Sequence, residues 1–161
     1  MKYQHLLFDW GNTLMKDIPG MHGPMSSWPS VSAIPGAVEI LGTLSQQLPC
    51  HIATNANASS EDQIRTALKR VNLDGYITEI FCYKRIGTIK PEVAFFQYIT
   101  QTLGCSADNI IMIGDSLETD IMGALNANIK AIWFNPSHLP CPPDINMITQ
   151  LQELPDLIQS L

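Results

Sequence analysis

Short, almost wholly apolar runs recur along this chain, each followed by a segment with helical spacing. That alternation restricts the fold more than any other feature of the sequence. Residues 3–9 (YQHLLFD), 50–54 (CHIAT), 79–83 (EIFCY), 109–114 (NIIMIG) and 130–134 (KAIWF) read as strands. Between them, residues 36–48 place Val38, Leu41, Leu44 and Leu48 on one helical side. Ser60 and Gln63 form a capping box for a helix over 60–72. Pro91 suits the first turn of a helix that Gly104 stops, and a further helix covers 117–127. The tail, 145–161, reads as short helical segments interrupted by Pro155. Strands that are apolar throughout must be covered on both faces. The expected fold is therefore α/β, with three layers and a central parallel sheet of about five strands between helices.

In such a sheet, ligands sit beyond the carboxyl ends of the strands. Strand one ends at Asp9, strand two at Thr54–Asn55 and strand four at Gly114–Asp115, while Lys90 lies in the loop after strand three. The alternation fails only over 15–35, which holds four prolines, two glycines and three methionines with no helical or strand period. That segment is a long loop or a vestigial lid, and long loops in compact domains are usually functional or disordered. With 161 residues the chain is expected to form one domain over 1–161, enough to bury about 68–70% of its unfolded surface.

Composition removes several classes of function. A net charge of −6 argues against nucleic acid, whose phosphates want a basic face. Nothing approaches ~18 consecutive apolar residues, so no membrane span is expected, and the apolar run near the N-terminus is too short for a signal peptide. Cys50, Cys82, Cys105 and Cys141 contain no C-x-x-C pair. That favours reduced thiols and a cytoplasmic location over a disulfide framework or a zinc site.

Asp9, Thr54, Lys90 and Asp115, in that order and on separate strand–helix junctions, resemble the haloacid dehalogenase (HAD) superfamily of phosphatases and related hydrolases. The matching pieces are FDWGNTL at 8–14, ATN at 53–55, GTIKPEVAFF at 87–96 and MIGDSLETDIMGA at 112–124. The resemblance implies a HAD-type, Rossmann-like core. It also implies a Mg²⁺-dependent hydrolase acting on a phosphorylated substrate through an aspartyl-phosphate. Phosphoryl transfer needs a nucleophile, a means of neutralising the phosphoryl oxygens, and a metal. On this resemblance Asp9 is the nucleophile. Asp9, the Gly11 carbonyl and Asp115 are the ligands of a hard cation that prefers oxygen. Asp120 and Thr13 lie behind them and orient them. Thr54, the backbone at Asn55, and Lys90 receive the phosphoryl group.

Two features depart from the family pattern. Most phosphatases of the superfamily carry a second Asp two residues after the first, as acid and then base, and here that position is Gly11. Acid–base catalysis contributes about 10²–10⁴ in rate, so metal and nucleophile can persist while monoester hydrolysis is slow. A substitute such as His22 or a substrate group would then move the proton. The alternatives are a pseudo-phosphatase that binds without much turnover, and C–P or C–halogen hydrolysis on the same fold. The second departure is the missing room for a helical cap. An open site suits a phosphorylated small molecule, a larger phosphorylated substrate, or a lid lent by a second subunit, which makes a homo-oligomer one of the expected partners.

Overall fold

The computed structural model describes residues 2–161. Its sheet has six strands: β1 (His5–Phe8), β2 (Cys50–Ala53), β3 (Ile77–Phe81), β4 (Ile110–Gly114), β5 (Lys130–Phe134) and β6 (Asn146–Ile148). They are ordered β3-β2-β1-β4-β5-β6 with every neighbouring pair parallel. The helices are α1 (Ala37–Leu44), α2 (Glu61–Arg70), α3 (Tyr83–Ile86), α4 (Val93–Leu103), α5 (Gly123–Asn126) and α6 (Leu154–Ser160). The α/β, Rossmann-like arrangement expected from the sequence is therefore what the chain adopts.

Strand period sorts the core. Successive side chains point to opposite faces, so Leu6, Phe8, Ile52, Ile111, Ile113 and Ile132 face one side. There they meet Leu41 and Leu44 of α1, Ile64 and Leu68 of α2, and Leu154 and Ile158 of α6. Leu7, Ala53, Phe81, Met112 and Trp133 face the other side, with Phe95, Phe96 and Ile99 of α4. Apolar side chains cover both faces of the central strands β1, β2 and β4. The chain runs outward from β1 through β2 to β3, then crosses back to β4 on the other flank of β1. Connections thus diverge from β1 in both directions, leaving a crevice at its carboxyl end.

The structure corrects the sequence expectation in four places. The sheet has a sixth strand, β6, within the tail that was read as helical. Three residues, Asn146, Met147 and Ile148, are too few to display a period. Pro155 does not interrupt a helix: it occupies the first turn of α6, where its missing N–H costs nothing. Pro91 stands before α4 rather than within its first turn, joined to Lys90 by a cis bond. The helix expected over 117–127 opens as a π-helical turn, Leu117–Met122, before α5.

Segment 15–35 contains a single 3₁₀ turn, Met25–Ser27, and no packed helical pair. It is fixed by its own anchors. Met25 and Trp28 are buried in the core, Met15 bridges to Ala33, and Arg70 of α2 donates to the Ser26, Trp28 and Pro29 carbonyls. Among the described residues no helix is long and apolar enough to cross a membrane.

Candidate active site

Parallel register brings the two leading acids together. Phe8 pairs with Ile113, and the Asp9 amide donates to the Ile113 carbonyl at 2.9 Å, so Asp9 and Asp115 leave adjacent strands side by side. Carboxylate oxygens of Asp9, Asp115 and Asp120 lie within 4.8 Å of one another. The Thr13 hydroxyl sits between two of them, 3.1 Å from Asp9 Oδ2 and 3.2 Å from Asp115 Oδ1. It has one proton and so serves one acid at a time.

Lys90 is buried, at 1% exposure, and its ammonium has three donors. They go to Asp9 Oδ1 at 2.9 Å, Asp120 Oδ1 at 2.6 Å and the Ala53 carbonyl at 2.6 Å. Burial alone would lower the Lys90 pKa; the charges of Asp9 and Asp120 outweigh it and raise the value. Burial pushes Asp115 up to about 7, reinforced by the hydrogen bond and charge of Asp9. Burial also pushes Asp120 up to about 6 against the opposing pull of Lys90. Three carboxylates against one ammonium leave the cluster with an excess of negative charge when all are ionised.

The local sequence explains the geometry. A Cβ on Gly114 would overlap the Asp120 carboxylate, so only glycine lets that acid close over the end of β4. The Ser116 amide donates to Asp120 Oδ2 at 3.0 Å, and Ser116 Oγ caps the Thr119 amide. Trp133, at the end of β5, donates from Nε1 to the Asp115 carbonyl at 2.9 Å and fixes the backbone there. Lys90 is aimed by Asn55, whose side chain accepts from the Lys90 amide at 2.8 Å and donates to the Lys90 carbonyl at 2.9 Å. Gly123 keeps room for that loop, since a Cβ there would stand 2.9 Å from the Pro91 Cα.

After β1 the chain reverses sharply. Asn12 adopts φ 59, a left-handed conformation that asparagine tolerates better than most residues. Its amide donates to the Met15 carbonyl, and the Met15 amide donates to the Trp10 carbonyl. This pairing spends the Trp10 carbonyl and leaves that of Gly11 without a donor among the described residues. Above Asp9 lies a cavity of about 250 Å³, bordered by Gly11, Asp17, Trp28, Thr54 and residues 56–59. The Thr54 hydroxyl accepts from the Ala56 amide at 3.1 Å, which leaves its own proton free to donate. A larger cavity of about 580 Å³ lies on the other side of Asp115, with Asn12, Asn135, Ser137, Gln150 and Gln152 among its lining residues.

The residues singled out in the sequence therefore converge: Asp9, Gly11, Thr13, Thr54, Asn55, Lys90, Asp115 and Asp120 meet at one edge of the sheet. Lys90 differs from expectation in what it touches. All three Lys90 donors are engaged within the protein, and it borders neither cavity. The Asn55 side chain clamps the Lys90 loop. His22, the substitute acid suggested by the sequence, is exposed and does not border the cavity above Asp9. Trp133 and Asp17 were missed. Trp133 read as one more apolar strand residue. Asp17 gave no signal, because only the reversal at Asn12 brings it back beside Gly11.

Comparison with known proteins follows the geometry. The family profile of haloacid dehalogenase-like hydrolases matches residues 12–134. The pyrimidine 5'-nucleotidase PynA of Streptococcus pneumoniae is 33% identical over 129 residues, covering 78% of this chain and 53% of that protein. YfnB, a HAD-hydrolase of Bacillus subtilis, is 30% identical over 129 residues, covering 80% of this chain and 54% of that protein. The crystal structure of YfnB bound to magnesium superposes with a TM-score of 0.80 at 21% identity, over 98% of this chain and 99% of that one. A crystal structure of an uncharacterized protein from Listeria monocytogenes serotype 4b superposes with a TM-score of 0.85 at 25% identity, over 98% and 97%. The chain spans about half the length of these two sequence relatives.

Proposed function

The chain belongs to the haloacid dehalogenase-like hydrolases, and from that premise we propose that it hydrolyses phosphate monoesters by way of a phosphoryl group carried on Asp9. One observation carries this reading: a carboxylate bordering the cavity is held on one oxygen by a buried ammonium and lies within 4.8 Å of two further acids. Lys90 donates to Asp9 Oδ1 at 2.9 Å and fixes the orientation of that carboxylate. We assign the Thr54 hydroxyl, whose proton is left free by the bond it accepts from the Ala56 amide, and the backbone at Asn55 the role of receiving phosphoryl oxygens.

The same cluster suits a divalent cation. Its donors are hard oxygens, burial with the neighbouring Asp9 raises Asp115 to about 7, and the Gly11 carbonyl is free of other donors. Asp9, Asp115 and Gly11 would hold Mg²⁺, with Asp120 engaged by Lys90 and bracing the site. Bound there, the ion would neutralise charge on the substrate and on the developing transition state. YfnB has been crystallised with magnesium, which agrees with this assignment.

In phosphoryl transfer the Asp9 Oδ1 electron pair forms the new bond to phosphorus while the bond to the leaving oxygen breaks. Water then attacks the phosphorylated Asp9 and releases inorganic phosphate. Among the described residues no packed helical cap excludes water, so the entrance is open to substrates of varied bulk. The larger cavity beside Asp115 has amides, hydroxyls and apolar surface but no cation. That lining suits an uncharged leaving moiety, and a nucleoside monophosphate of the kind implied by the name of PynA is one such substrate. Lys16, the lysine of segment 15–35, borders neither cavity, so imine-based C–P cleavage finds no support.

The test is phosphate release from aryl phosphate, sugar phosphates and nucleoside monophosphates, with and without Mg²⁺, by the unmodified protein and by Asp9→Asn. Mg²⁺-dependent release that Asp9→Asn abolishes is the expected result. Equal release by both proteins would refute it.

A further inference from the structure

An alkyl phosphate leaves poorly unless its oxygen is protonated, and the water that clears a phosphorylated aspartate must lose a proton. Some group beside Asp9 has to move both, and Gly11 has no side chain to do it. Of the residues bordering the cavity above Asp9, only Asp9 itself and Asp17 carry a titratable side chain. Asp17 also stands beside Gly11. A Cβ built on Gly11 would lie 3.8 Å from the Asp17 Cβ, so the Asp17 side chain leaves the backbone beside Gly11 although six positions separate them.

The chain reversal fixes this proximity. Met15 is tied back to Trp10 and Asn12 through the backbone, the Lys16 amide donates to the Ser32 carbonyl, and the Asp17 amide donates to Asn12 Oδ1 at 3.0 Å. The Asp17 backbone is thereby held while its carboxylate stays exposed. Among the described residues no cation and no hydrogen-bond donor engages that carboxylate. Asp115 and Asp120, by contrast, are bound up in the cluster beside Asp9.

We propose that Asp17 is the catalytic acid and base of this site, performing from six residues downstream the work that Gly11 cannot. The proposal rests on the phosphatase reading above. As the Asp9 oxygen bonds to phosphorus and the phosphorus–alkoxide bond breaks, the protonated Asp17 gives its proton to the leaving oxygen, and a neutral alcohol departs. The Asp17 carboxylate then takes a proton from water as that oxygen bonds to phosphorus. The Asp9–phosphorus bond breaks, inorganic phosphate leaves, and Asp17 is protonated for the next cycle.

The experiment compares the unmodified protein with Asp17→Asn, Asp17→Ser, Gly11→Asp and the Gly11→Asp/Asp17→Asn pair, on ribose 5-phosphate and on p-nitrophenyl phosphate with Mg²⁺. Because Asp17 is exposed, both of its variants should melt at the unmodified temperature. Each should lose about 10²–10⁴ of its turnover on the alkyl phosphate. The aryl phosphate, whose leaving group needs no proton, should still phosphorylate Asp9, and the adduct should accumulate by intact mass because its hydrolysis has lost the base. Gly11→Asp should restore the paired variant by at least about tenfold, the low side of what a positioned acid supplies. Full alkyl turnover by folded Asp17→Asn, while Asp9→Asn is inactive, would overturn the Asp17 proposal alone. Equal losses on both substrates, with no adduct and no restoration, would overturn it equally. Indifference to Asp9→Asn, or no turnover of either substrate by the unmodified protein, would overturn the phosphatase reading and the Asp17 proposal with it.

Discussion

Lys90 ties the acids of the site to the stability of the fold. Its ammonium is buried between Asp9 and Asp120, and Asp120 is buried as well. Lys90→Met would strand the Asp120 charge, and breaking a buried pair from one side costs about 3–5 kcal/mol. Denaturant unfolding should show a loss of that size, reduced when Asp120→Asn is added; a loss below about 1 kcal/mol would contradict the pairing. Asp115 supplies the pH dependence. Burial and Asp9 push its carboxyl up to about 7, whereas an unfolded Asp titrates near about 4. Between those values the folded chain holds a proton that the unfolded chain does not, so this group's contribution to stability falls as pH rises from about 4 to about 7 and levels off above that. His51, pushed down to about 4 by burial, works in the opposite sense below pH ~6.5, so melting temperature alone would blur the effect. Mg²⁺ affinity is the cleaner readout, because the ion needs the ionised carboxylate. Affinity should climb up to about tenfold per pH unit below 7 and flatten above it; affinity independent of pH from 5 to 8 would rule the mechanism out. At this scale the sequence disclosed the residues better than their contacts. Asp9, Thr54, Lys90 and Asp115 stood out because each ends or follows a strand. That Lys90 is spent on two acids and a carbonyl depends on Asn55 and the loop before α4, which no spacing encodes.

The segment from β4 through the π-helical turn to α5 places two of the acids, and its glycine sets the tolerance. A Cβ on Gly114 would overlap the Asp120 carboxylate, so Gly114→Ala forces Asp120 away from Lys90. Overpacking of this kind costs about 1–3 kcal/mol, and activity should fall with it. Gly75→Ala, where a Cβ meets nothing within 4 Å, should leave both nearly unchanged. Calorimetry and phosphate release on the two variants make the comparison; equal behaviour would show that the close approach does not matter. Long elements were legible because they repeat a pattern. α2 has both halves of its capping box, with Ser60 accepting from the Gln63 amide and the Gln63 side chain accepting from the Ser60 amide. β6 and the π-helical turn were not legible. The first is too short for a period, and the second depends on Ser116 and Asp120 satisfying backbone donors after the strand has ended.

Across the whole molecule, the apolar sheet and the placement of its strand ends follow from the alternation of apolar runs with helical segments. What that alternation cannot convey is how 15–35 settles. Its anchors are Trp28, Met25 and the Arg70 guanidinium on three carbonyls, all set by tertiary packing rather than by local pattern. The result is an entrance bordered by this segment and by the loop after β2, with Asp9 and Asp17 both on its border. The measurement that bears most directly on this account is mass spectrometry of the protein quenched during turnover of p-nitrophenyl phosphate with Mg²⁺. A phosphoryl group on the peptide containing Asp9, absent from Asp9→Asn, is the predicted result. Turnover with no phosphoryl group on Asp9, or with one on another residue, would contradict it.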